Sequence, residues 1–151
     1  MTGLSVQTLK IRANKNNVPK DGIKVEWIDP KTKKSYQAKR SKAKGSKLEL
    51  DVVHKLNDIG YNTVSSRSNS KMLDNSKVDI DDLDGNLPLY IQCKATMSVP
   101  SYFKIEEECP LKDKPFCIIW KKQISDGQSP GTLAMVPIEV LWDYLTLKLN
   151  K

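Results

Sequence analysis

Two carboxylates, an amide and an ammonium stand in an order that could serve a metal-dependent nuclease: Glu49, Asp79, Gln92 and Lys94. Carboxylate and amide oxygens are ligands for Mg²⁺, with Mn²⁺ as the alternative, and a lysine beside them could orient a water or offset charge building on a phosphate. His54 is the sole histidine. A histidine-metal site is therefore disfavoured, and a serine or cysteine nucleophile lacks its usual base, which leaves carboxylate-metal chemistry as the economical reading.

These four residues need a helix and a pair of strands to place them. Leu48, Val52, Val53, Leu56 and Ile59 recur at helical spacing, with Ser46 as the expected N-cap and Gly60 as the stop. Glu49 then reads in two ways, as the third-position partner of a capping box or as a carboxylate beside the apolar stripe that needs a cation or donor. Val78-Asp79-Ile80-Asp81 alternates as a half-buried strand should, Asp84-Gly85 signals a tight turn, and 87–96 reads as the returning strand of a hairpin. Alternation puts Gln92 and Lys94 on one face of that strand and Ile91, Cys93 and Ala95 on the other. Bringing all four polar groups together therefore requires sheet twist and frayed strand ends. His54 falls on the helix away from Leu48 and Val52 and reads as a surface residue.

Lys44-Gly45-Ser46 with Glu49, Gly60-Tyr61, Ser65-Ser66-Arg67-Ser68, Val78-Asp79-Ile80 and Gln92-Cys93-Lys94 together resemble the archaeal-type Holliday junction resolvases and their phage relatives, within the PD-(D/E)XK nuclease superfamily. The resemblance covers roughly residues 44 to 145, and the ordered set is far more specific than any one piece. It implies an α/β fold with a restriction-endonuclease-like core, a mixed central sheet flanked by helices. It also implies Glu49, Asp79, Gln92 and the Cys93 backbone carbonyl as metal ligands, and Lys94 as the active-site lysine. Arg67 would contact the DNA backbone near the cleaved strand. The implied protein is a homodimer acting on branched DNA, a four-way junction, by paired nicks. Gln92 departs from the glutamate common in that family, although Mrr-like branches are similar in carrying Gln there. An amide oxygen can ligate a hard cation but adds no charge, so metal preference or affinity would differ.

Charge supports a polyanionic partner. Of the formal +7, residues 1–47 hold 13 Lys or Arg against 3 Asp or Glu, and the remainder is net acidic with 12 against 15. We read 1–44 as a basic N-terminal arm, partly flexible, and 45–151 as the nuclease domain. The run 31–44 reads either as a solvated linker or, through Lys42 and Lys44, as a phosphate contact. Ser68, Ser70 and Lys71 join Arg67 in a polar loop, 65–76, suited to phosphate oxygens, with an ordinary surface loop as the competing reading. Short strands at Leu4–Ile11 and Ile23–Ile28 are also suggested.

Three cysteines in no Cys-x-x-Cys spacing argue against structural zinc and for reduced thiols, and no apolar run is long enough to span a membrane or serve as a signal core, so a soluble, cytoplasmic protein is expected. Downstream, 104–109 reads as a short helix whose Glu106-Glu107-Glu108 is a solvated face rather than a ligand set. Residues 116–120 and 132–136 read as strands, and 138–149 as a helix opened by Pro137. A dimer patch would come from this last strand and helix, with Trp142 or Tyr144 at it or in the core. Two other functions fit the same residues: a Mrr-like or repair nuclease acting on duplex DNA, and a DNA-binding protein whose catalytic site has decayed.

Overall fold

The computed structural model describes residues 30–151, and the strands suggested at 4–11 and 23–28 lie outside them. By compactness the chain divides at Lys39/Arg40. Everything that follows, apart from the start of the first helix, concerns the unit 40–151.

Helix α1 runs Pro30–Asp58 without a break. The helix was expected to start at Ser46, but the basic run 31–44 is helical as well. The physical reason is composition: Lys, Arg, Ala and Gln are good helix formers even where no apolar stripe advertises them, and Pro30 suits the first helical position. The C-terminus follows expectation. Gly60 takes φ 108°, a left-handed conformation suited to glycine, and Tyr61 N–H closes back on the Leu56 carbonyl at 3.1 Å.

Chain order continues with β1 (Thr63–Ser65), α2 (Ser66–Asn69), α3 (Lys71–Asn75), β2 (Ile80–Asp82), β3 (Tyr90–Thr96), α4 (Tyr102–Glu107), β4 (Phe116–Lys122), β5 (Thr132–Met135) and α5 (Ile138–Leu149). The fold class is mixed α/β, with a mixed-orientation sheet flanked by helices. β3 pairs in parallel with β4, and β4 antiparallel with β5, so β3 and β5 are the outer strands of a three-stranded sheet. The expected hairpin between β2 and β3 is not a ladder: β2 pairs antiparallel with β1 instead, Val64 opposite Asp81. The Asp84-Gly85 turn is present, with Gly85 at φ 70°, but Pro88 follows it and supplies no N–H, and the extended pairing restarts only at Tyr90. The expected polar loop 65–76 is mostly the two short helices α2 and α3.

Period-two alternation distributes the core over both faces of the sheet. Ile91, Cys93 and Cys117 pack with Leu48 and Val53 of α1 on one side. Phe116, Ile118 and Trp120 pack with Val78 and Cys109 on the other, with Tyr102 and Ile105 of α4 against them. Ile59, expected in the apolar stripe, is exposed where the helix has ended. His54 is exposed, as expected. Among the described residues no helix is long and apolar enough to cross a membrane.

Candidate active site

Asp79 reaches the site because the free edge of β3 captures it. Its backbone N–H donates to the Ile91 carbonyl at 2.8 Å, and its Oδ2 accepts the Cys93 N–H at 2.7 Å. Lys77, two residues before, takes φ 66°, the left-handed turn that ends α3 and swings the chain to the sheet. Because one residue's N–H and C=O point to the same side of a strand, the Cys93 carbonyl also faces this open edge. A strand edge is where side chains from both faces of a sheet can meet. Glu49 comes from the α1 side, whereas Gln92 and Lys94 belong to the α4 side by alternation.

Glu49 is buried, 5 % exposed, and each of its oxygens has a partner. Arg67 Nη2 lies 2.8 Å from Oε1, and the Ser65 hydroxyl donates to Oε2 at 3.4 Å. The Arg67 guanidinium also donates to Ser46 Oγ at 3.2 Å and stands 3.9 Å from Asp74. Ser66 fixes α2 in place by donating its N–H to the Asp79 carbonyl at 2.9 Å and its hydroxyl to the Val78 carbonyl. Thus the serine-rich segment brings Arg67, Glu49 and the Asp79 backbone together.

The electrostatics reflect this crowding. Burial, and then the negative charge of Asp79, push the Glu49 carboxyl above its usual range, against the pull of Arg67. Burial also raises Asp79, opposed by the Cys93 N–H and by the Lys94 and Arg67 cations. Cys93 senses both carboxylates as well: burial first, then Asp79 and Glu49, drive its thiol far up. Two like charges thus share one partly desolvated region at the edge of β3, with Lys94 near enough to act on Asp79.

Gln92 is 4 % exposed and its Oε1 is buried without a hydrogen-bond partner. A buried acceptor left unpaired costs about 1–3 kcal/mol, and a cation would satisfy it. The donor set of Glu49, Asp79, Gln92 Oε1 and the Cys93 carbonyl is all oxygen, the chemistry that Mg²⁺ or Mn²⁺ takes. Among the described residues no group of three or more His, Cys, Asp or Glu is arranged to hold a metal, so any cation here would rely on neutral oxygens beside the carboxylate pair.

The remaining sequence candidates are spread out. Lys42, Lys44 and Lys71 are exposed, the first two on α1 ahead of Glu49. Ser68 donates to the Ser65 carbonyl at 2.8 Å and Ser70 caps α3 through the Leu73 N–H, so both hydroxyls hold local structure. Arg67, expected on phosphate, is held by Glu49. Ser46, Ser65 and Asp74 contact the Arg67–Glu49 pair and were not singled out for that role, since their chain spacing gives no sign of it. The acidic run lies apart in its own ion pairs, Glu106 with Lys112 and Glu108 with Lys77. The three cysteines are buried and free.

Both raised carboxyls give a sign for pH. A carboxyl whose folded pKa lies above its unfolded value stabilises the fold at low pH, and that contribution is lost as pH rises through the folded value. We expect metal-free protein to lose stability from this pair as pH climbs past the ordinary 3.8 and 4.5 of Asp and Glu. The check is the melting temperature of wild type against Asp79→Asn. The two should converge near about pH 4, with the variant the more stable at neutral pH; a gap that does not change with pH would contradict the crowding.

No family model matches this chain, and comparison with curated proteins and with solved structures returns no match.

Proposed function

We propose that this chain is a metal-dependent, structure-selective DNA endonuclease that resolves four-way junctions by hydrolysing phosphodiesters. The observation that carries the reading is the crowding of two partly desolvated carboxylates at the free edge of β3, a strand that also carries a buried, unpaired amide oxygen and a lysine whose charge acts on Asp79. Structural sites rarely leave two like charges and an unpaired acceptor together unless something binds there.

Glu49, Asp79, Gln92 Oε1 and the Cys93 carbonyl would hold Mg²⁺ or Mn²⁺. When bound, such an ion lowers the pKa of a water and screens charge on a phosphate. Lys94, on the strand that holds Asp79, orients the attacking water and offsets charge developing on the phosphoryl oxygens. The Cys93 N–H keeps the Asp79 carboxylate aimed along the strand edge. α1 presents Lys42 and Lys44 to solvent on the approach to Glu49, where duplex phosphates need neutralising.

Junction selectivity calls for two sites related by a dyad, and α5 supports a second copy of this chain as the partner. Ile138, Trp142, Leu145 and Leu149 are all exposed and step by four, three and four residues. That spacing reads the same in both directions, so an antiparallel copy sets Ile138 against Leu149 and Trp142 against Leu145. We expect Trp142→Glu to shift the protein from dimer to monomer in sedimentation velocity and to convert paired nicks into single ones. A variant that sediments as the wild type would remove this face from the interface.

The reading is tested on a labelled four-way junction beside a linear duplex of the same sequence, with Mg²⁺, Mn²⁺ or EDTA. Symmetric metal-dependent nicking of the junction alone is the expected outcome. Cutting of the linear duplex would select a Mrr-like or repair nuclease. A gel shift without cutting would select a DNA-binding protein with a decayed site, the reading that Gln92 in place of a carboxylate favours.

A further inference from the structure

We infer that Arg67 is the counter-ion that a divalent cation drives off Glu49, and that its guanidinium, once released, is handed to the DNA backbone. The inference rests on the nuclease reading and adds to it a coupling between cation entry and phosphate capture. It starts from the fact that both Glu49 oxygens are taken, Oε1 by Arg67 at 2.8 Å and Oε2 by Ser65 at 3.4 Å. Each oxygen keeps a second lone pair, but a divalent cation on Oε1 would stand beside the guanidinium charge, and the repulsion between the two cations favours release of Arg67.

Exposure differs sharply across the pair. The Glu49 side chain is 7 % exposed and sits within a long helix, whereas the Arg67 side chain is 45 % exposed and rides on the four-residue α2. Arg67 can therefore leave while Glu49 cannot. Its other holds are weak ones, a hydroxyl at 3.2 Å on Ser46 and a 3.9 Å approach to Asp74. Ser66 is buried and stays pinned to the backbone of Val78 and Asp79, so α2 remains docked when the guanidinium swings. A guanidinium freed at this exposed position is available to phosphate oxygens, and Arg is suited to fork onto two of them.

This arrangement has a reciprocal consequence. If DNA holds the released guanidinium, DNA makes the cation bind more tightly, and the cation does the same for DNA. Without DNA, Arg67 competes with the ion and keeps two crowded carboxylates compensated.

The test is Mn²⁺ binding to the full chain, followed by the paramagnetic resonance of free Mn²⁺, for wild type, Arg67→Ala and Arg67→Gln, with circular dichroism to confirm folding. Removing a competitor held by one charge-assisted pair should tighten Mn²⁺ binding by roughly three- to tenfold in both variants. The Gln variant keeps a donor for Ser46 and guards against misfolding of the Ala variant. In parallel, Ca²⁺ should strengthen junction binding more in wild type than in either variant. Mn²⁺ binding that weakens or stays unchanged without Arg67 would overturn the inference, because Arg67 would then support the ion or ignore it. Should wild type bind Mn²⁺ normally in that case, the nuclease reading stands and only the handover fails. Absence of Mn²⁺ binding to wild type would sink both.

Discussion

Replacing Asp79 with asparagine should reduce junction cleavage by roughly a hundredfold to a thousandfold or more, while binding to the junction stays within about threefold of wild type. The two effects separate because they depend on different properties of the residue. Asparagine keeps an oxygen to accept the Cys93 N–H, and the backbone N–H still reaches the Ile91 carbonyl, so the segment stays on the edge of β3. What disappears is a negative charge beside Glu49, and with it most of the attraction for a divalent ion. Removing that charge also relieves repulsion in a partly buried region, so the metal-free variant should melt higher than wild type at neutral pH. Gel-based cleavage, gel shift and thermal melting on one preparation check all three. A variant that cleaves normally would mean that Asp79 does no metal chemistry, and one that melts lower would mean that the carboxylate is needed by the fold.

The largest effect on stability is expected at Ile118. It is fully buried in the middle of β4, opposite Gln92 on β3 and Met135 on β5, and it packs with Val78, Phe116 and Trp120. Truncation to alanine removes three carbons from a site enclosed on all sides, where neighbours held in strands cannot collapse inward. The expected cost is about 3–4 kcal/mol, read as a lower midpoint in urea with little change in slope. Because Val78 leads directly into Asp79 and shares this cluster, cleavage should fall as well at temperatures where the variant remains folded. His54→Ala, at an exposed position of α1, is the control and should change neither stability nor cleavage. A loss at Ile118 below about 1 kcal/mol would mean that the two-faced packing of the sheet is wrong.

Much of this arrangement was legible in the sequence where a pattern repeats long enough to be seen. The alternation from Tyr90 to Thr96 separated Cys93 from Gln92 and Lys94, and the core does divide along that line. The apolar run at Phe116, the strand from Thr132 and the helix from Ile138 lie where their periodicity and Pro137 put them. Short or polar elements were not legible. β1 is three residues long and α2 four, too short for a period to repeat twice. The first half of α1 has helix-forming residues but no apolar stripe, so it reads as a linker to any argument built on amphipathicity.

The site was only half visible for a related reason. Residue types and order marked Glu49, Asp79, Gln92 and Lys94, but a hairpin would have joined Asp79 to β3 by regular pairing, and no such ladder forms. Asp79 is tied to β3 by one side-chain hydrogen bond to Cys93 and one backbone bond to Ile91, contacts 14 and 12 residues apart that no local pattern encodes. The hold of Arg67 on Glu49 spans α1 and α2 and depends on Ser66 folding back against Val78 and Asp79. Such contacts arise from tertiary packing, and spacing along the chain is silent about them.

The most direct measurement is the position of a bound Mn²⁺ ion, located by its anomalous scattering in crystals of the full chain. The expected result is a single strong peak at the edge of β3, within ligand distance of the carboxylates of both Glu49 and Asp79, and absent from Asp79→Asn crystals grown alike. A peak elsewhere, or none at this edge at millimolar Mn²⁺, would contradict the claim that these two acids hold a common cation.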